Sequence, residues 1–100
     1  MEINRIHHMD AILGLKNLEA ASADIVLIDP PYNIGKKFGD LKFKMELNKY
    51  VNWCQEWIEE SERILKDTGT MYIYGFSEIL THLSVNIKLP HRWLIWHYTN

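Results

Sequence analysis

Tyr50, Trp53, Cys54, Trp57, Ile58, Ile64 and Leu65 recur at three- and four-residue steps, while Glu56, Glu59, Glu60 and Glu62 fill the positions between. This pattern predicts an amphipathic helix with one apolar stripe, and Gly69 in "KDTGT" is a candidate for its stop. Trp53, Cys54 and Trp57 on that stripe read as core. Upstream, Ile25 to Ile28 is a continuous, largely β-branched apolar run, the pattern of a strand buried on both faces. Asp29, Pro30 and Pro31 end it, because proline gives a ladder no N–H and pushes its predecessor out of helical backbone angles. Ile3 to His7 predicts a short opening strand, and Asp10 stands where an N-cap would precede a helix marked by Ala11, Leu15 and Leu18. Met71 to Tyr74 predicts a further strand, Glu78 to about Ile87 a helix, and Trp93 to Tyr98 a last strand. Between Tyr32 and about Asn48 there is little periodicity, and a loop of that length is more often functional than a plain connection.

Strands that alternate with helices imply crossover connections, hence an α/β fold: a mostly parallel sheet of about four strands with helices on its faces. Ligands bind such sheets beyond the carboxyl ends of the strands. The cluster Asp29 to Tyr32 therefore sits where chemistry is expected.

Composition narrows the partners. One hundred residues without internal repeats fit a single domain over 1–100, and 47% hydrophobic residues are enough for a core. A net charge of -2 argues against holding a polyanion by global electrostatics, so any such site must be local. Lys36, Lys37, Lys42, Lys44 and Lys49, against Asp40 and Glu46 alone, give one stretch a local charge of +3. It reads either as a phosphate-contacting loop or as an ordinary solvated one. Cys54 is the sole cysteine, which excludes an internal disulfide framework and suits a reducing cytoplasm. His7, His8, His82, His91 and His97 match no standard ligand spacing, so no metal is expected. No stretch approaches the roughly 18 apolar residues of a membrane span, and "MEINRIHHMD" has no apolar signal core. These features predict a soluble cytoplasmic protein.

At the cluster, an ionised Asp29 is purely an acceptor, and Pro30 offers only its carbonyl. Tyr32 adds an aromatic face on a backbone that two prolines stiffen. Two acceptors beside a ring suit a planar group bearing an NH2, such as the Watson–Crick edge of a base taken out of its stack. Because the lone pair of an aromatic amine is delocalised, acceptors on its hydrogens favour pyramidalisation and localise the pair as the nitrogen attacks an electrophile. Taken alone, the same letters also describe a turn after a strand.

The residues "DPPYNIG" after "ADIVLI" resemble the catalytic motif of amino-methylating DNA methyltransferases, which use S-adenosylmethionine. The longer stretches "HHMDAILGLKNLEAASADIVLIDPPYNIG" and "YVNWCQEWIEESERILKDTGTMYIYG" resemble the opening elements of the permuted class, so the likeness covers nearly the whole chain. It implies a Rossmann-like fold and assigns catalysis to the motif Asp29, Pro30, Pro31 and Tyr32. Within it, Asp29 and the Pro30 carbonyl would receive the hydrogens of the target amine, and Tyr32 would stack on the flipped base. An acid in the first position is similar to the adenine-modifying members, whereas cytosine-modifying members often carry serine there, so the resemblance favours adenine over the cytosine exocyclic amine. The resemblance makes Asp10 a candidate cofactor contact, beside its plainer reading as an N-cap, and makes Lys36, Lys37, Lys42 and Lys44 candidate DNA phosphate contacts.

Family members also carry a glycine-rich F-x-G-x-G cofactor loop and a target recognition region. Neither is found here: Gly14, Gly35, Gly39, Gly69 and Gly75 nowhere form G-x-G. The resemblance is to the N-terminal third, and it implies a truncated or split enzyme, inactive alone, whose sheet a second polypeptide would complete. In the family's strand order the strand bearing the cofactor loop lies beside the catalytic strand, so Ile25 to Ile28 is expected to have an unpaired edge. Related motifs in methyltransferases of RNA guanine amino groups and of glutamine amides leave two other substrates open, as does a non-catalytic remnant or interaction subunit.

Overall fold

The computed structural model describes residues 1–33, 37–38, 41–42 and 44–99, with backbone only at 37–38 and 41–42. The elements are α1 (Ala11–Lys16), β1 (Ala23–Ile28), β2 (Lys37–Phe38), β3 (Leu41–Lys42), α2 (Leu47–Ile64), β4 (Leu65–Ile73) and α3 (Ser77–Ser84). Strands β1 and β4 form a two-stranded parallel sheet, and α2 lies in the crossover that parallel pairing requires. Helices flank the sheet, so the fold is α/β.

Asp10 does cap α1: its carboxylate accepts the Leu13 N–H at 3.0 Å, a contact worth about 1 kcal/mol. Helix α2 ends five residues before Gly69. The carbonyls of Arg63 and Ile64, left without partners inside the helix, accept the N–H groups of Ala21 at 3.0 Å and Ser22 at 2.8 Å. Leu65 then turns directly into β4. The Arg63 side chain ties the same corner, binding Glu60 at 2.7 Å and the Leu15 carbonyl at 2.9 Å.

Gly69 has another task. Ala23 pairs with Leu65 but Ile25 pairs with Thr70, so residues 66–69 bulge opposite Asp24. A Cβ on Gly69 would stand 2.6 Å from Leu65 Cδ1 and 3.0 Å from the Asp24 carbonyl oxygen. Gly69→Ala is therefore expected to lower stability by about 1–3 kcal/mol through overpacking. Urea unfolding followed by circular dichroism measures this, and an unchanged midpoint would show that the bulge accommodates the methyl.

One face of the sheet, with Val26, Ile28, Met71 and Ile73, packs inward. Tyr50, Cys54, Trp57 and Ile58 of α2 meet Ile12 of α1 and Leu83 of α3 in the main core. The other face is open: Ile25 is 67% and Leu27 64% exposed, and Tyr72 and Tyr74 are exposed beside them. The apolar run of β1 is thus covered on one side, not two, and β4 is its ladder partner among the described residues.

Two expected strands do not form among the described residues. Over residues 3–7, Asn4 takes a left-handed φ of 60°, which interrupts an extended run, and the side chains there are exposed. Residues 93–98 find no ladder partner; Trp93 and Trp96 are exposed, and the Trp96 ring lies tilted beside that of Tyr74, with centroids 6.0 Å apart. Without a neighbour to take its N–H and C=O groups, an apolar run gains nothing by staying extended. Helix α3 stops at Ser84, three residues short of Ile87, where tight bonds from Asn86 to Leu83 and from Ile87 to Ser84 close the chain. Within the expected loop, β2 and β3 pair as a short antiparallel hairpin. Among the described residues no helix is long and apolar enough to cross a membrane, and no three His, Cys, Asp or Glu side chains gather as a metal set.

Candidate active site

The two parallel strands deliver the site together. Beyond Ile28 the ladder continues for one bond, Tyr74 N–H to the Ile28 carbonyl at 2.9 Å. This sets Asp29–Tyr32, leaving β1, beside Phe76, which follows β4. Asp29, Pro30, Pro31 and Tyr32 line an open concavity of about 310 Å³. The Tyr32 ring meets Phe76 edge-on, with centroids 5.4 Å apart and planes at 79°, and its hydroxyl donates to Asp29 Oδ1. That bond, with some burial, pushes the Tyr32 phenol up to about 12, so it stays a neutral donor at any working pH. Asp29 Oδ2 and the Pro30 carbonyl receive no donor among the described residues. The residues that line the concavity therefore carry two acceptors, without a donor among the described residues, beside a ring.

Two residues to which the sequence pattern gave no part in the site hold this cluster in place. Tyr50 on α2 donates its hydroxyl to the Pro31 carbonyl at 2.5 Å. Asn33 is buried, and its side-chain amide accepts the Met45 N–H at 2.5 Å and donates to the Met45 carbonyl at 3.0 Å. Tyr50 lay in plain view on the apolar stripe; the signal was that a buried tyrosine needs a partner for its hydroxyl.

The other candidate residues are scattered. The Lys44 ammonium donates to the Asn33 carbonyl at 3.0 Å, so it braces the motif. Lys37 and Lys42 face each other in the register of the β2–β3 hairpin, while Lys36 lies outside the described residues. Asp10 has one oxygen committed to capping α1.

A family model described as DNA methylase matches residues 23–100, which include the whole motif and both parallel strands. The chain belongs to the DNA methylase family. The type II methyltransferase M.HpaI of Haemophilus parainfluenzae is 37% identical over 95 residues, covering 90% of this chain and 30% of the relative. The DNA adenine methyltransferase YhdJ of Escherichia coli (strain K12) is 37% identical over 87 residues, covering 87% of this chain and 30% of the relative. The type II methyltransferase M.BamHI of Bacillus amyloliquefaciens is 29% identical over 94 residues, with 91% and 22% covered. The chain thus spans less than a third of the length of these relatives.

A methylase chain also raises the question of the methyl donor. Beside Asp29, a cavity of about 480 Å³ opens between α1, β1 and α2, with Leu15, Leu18, Trp53 and Trp57 among its walls. Such walls suit an aromatic ring. S-adenosylmethionine also carries a carboxylate, and among the described residues no lysine or arginine lines the cavity to pair with it. The residues described here therefore fit part of that group only.

Proposed function

We propose that this chain carries the target-amine pocket of a site-specific, adenine-type DNA methyltransferase. The observation that supports the reading is the pair of open acceptors, Asp29 Oδ2 and the Pro30 carbonyl, beside the Tyr32 ring at a carboxyl strand end. An exocyclic amine seated there gives one hydrogen to each acceptor. Both bonds strengthen as the nitrogen becomes tetrahedral and cationic, so they stabilise the transition state more than the bound base. Asp29 is placed to hold the developing positive charge, and Tyr32 to keep the base in plane by stacking. The names of the relatives M.HpaI and YhdJ, a type II methyltransferase and a DNA adenine methyltransferase, support DNA and adenine over the RNA and glutamine alternatives.

On this reading the methyl donor is S-adenosylmethionine, held mainly by a second polypeptide that also brings the target recognition region, and the protein works in the cytoplasm. The open apolar face of β1 and β4 supports such a partner, because parallel sheets are ordinarily covered on both faces. The test is tritium transfer from labelled S-adenosylmethionine to DNA, by the chain alone and with the product of any adjacent reading frame that contains F-x-G-x-G. We expect no transfer by the chain alone and transfer by the pair. Transfer to RNA or to a protein amide, with none to DNA, would overturn the reading.

A further inference from the structure

The two prolines of the motif are chemically alike in sequence and are treated differently by the fold. Neither has an N–H, so each is anchored or left free through its carbonyl alone. The Pro31 carbonyl is taken from within the core by the hydroxyl of Tyr50, itself 1% exposed. No donor reaches the Pro30 carbonyl among the described residues. Burial and the neighbouring Cys54 raise the Tyr50 phenol, which keeps it a neutral donor. The far end of the motif is fixed separately. Asn33, 4% exposed and at a left-handed φ of 63°, pairs both ways with the Met45 backbone, as a strand neighbour would.

We propose that Tyr50 is a positioning residue for methyl transfer: by saturating the Pro31 carbonyl while Asn33 fixes the next turn, it leaves Asp29 and the Pro30 carbonyl as the acceptor pair facing the target amine. The proposal rests on the reading of the motif as an amine pocket. A merely packed tyrosine would need only some acceptor for its hydroxyl. What distinguishes Tyr50 is that the acceptor belongs to the motif, nineteen residues earlier.

Tyr50→Phe keeps the ring and removes the hydroxyl, and Asn33→Gly keeps a backbone that tolerates positive φ while removing the second clamp. In the isolated chain, nuclear magnetic resonance of 13C-labelled tyrosines reports Tyr32, whose high titration near 12 depends on its contact with Asp29. Each variant is expected to bring that titration down by about one unit, toward the usual value near 10, with far-ultraviolet circular dichroism unchanged. In the enzyme that transfers methyl groups, kcat should fall roughly 10- to 100-fold with KM for DNA preserved, as for a reacting group displaced by a fraction of an ångström. An unmoved Tyr32 titration in folded Tyr50→Phe, or a rise in KM with kcat intact, would overturn the proposal. Should Tyr50→Phe not fold, the Asn33→Gly titration decides it in the same way. Absence of transfer by wild-type protein in every combination would count against the amine-pocket reading instead, and the titration would still judge the role of Tyr50.

Discussion

Replacing Asp29 by alanine is expected to reduce methyl transfer by roughly 10²- to 10³-fold, the usual cost of removing one preorganised group from a developing charge. The side chain is exposed, and among the described residues it is held by the Tyr32 hydroxyl. Its removal should therefore leave stability within about 0.5 kcal/mol, as for surface positions that carry no structural duty. Large loss of rate without loss of fold is what separates a chemical role from a turn-forming one. Single-turnover transfer in the reconstituted enzyme measures the first quantity and urea unfolding the second. The isolated chain supplies an independent check, because the Tyr32 phenol, held near 12 chiefly by Asp29, should titrate close to 10 in Asp29→Ala. A wild-type rate in that variant would remove Asp29 from the mechanism.

The second large effect concerns the core. Ile58 is 0% exposed at the middle of α2, in the cluster where Ile12 of α1 and Leu83 of α3 meet that helix. Truncation to alanine forfeits the transfer energy of the lost carbons and leaves a cavity, together about 2–5 kcal/mol. A domain of this size has roughly 5–15 kcal/mol in total, and here a two-stranded sheet with one open face contributes the apolar burial on the other side of the core. Ile58→Ala should lie at the threshold of folding, with a broad or absent cooperative transition in urea. A midpoint shift equivalent to less than about 1 kcal/mol would mean that the three helices do not share one core.

Helix α2 and the motif were legible because each is specified by neighbouring residues: a 3.6-residue apolar repeat in one case, an apolar run met by two prolines in the other. The Asp10 cap was legible for the same reason. Gly69 misled because glycine is compatible with two demands, a helix end and a close approach. The deciding fact was the reach of the Ala21 and Ser22 N–H groups to the end of α2, some forty residues away. The runs at 3–7 and 93–98 have strand-like letters, but a strand is a property of two chains, and the letters name only one. At the site, local sequence named Asp29, Pro30, Pro31 and Tyr32. It was silent on which proline carbonyl stays open, since that depends on Tyr50 arriving from a helix whose apolar stripe disguised a polar contact.

The Asn33–Met45 pairing has an implication for how such a chain can change. Because the clamp closes the segment between them at its base, the number of intervening residues is uncoupled from the placement of Asp29 and Pro30. Doubling the length of a closed loop costs only about 0.6 kcal/mol in chain entropy. Insertions there can therefore be sampled by evolution or by an engineer while the Asp29–Tyr32 concavity keeps its shape.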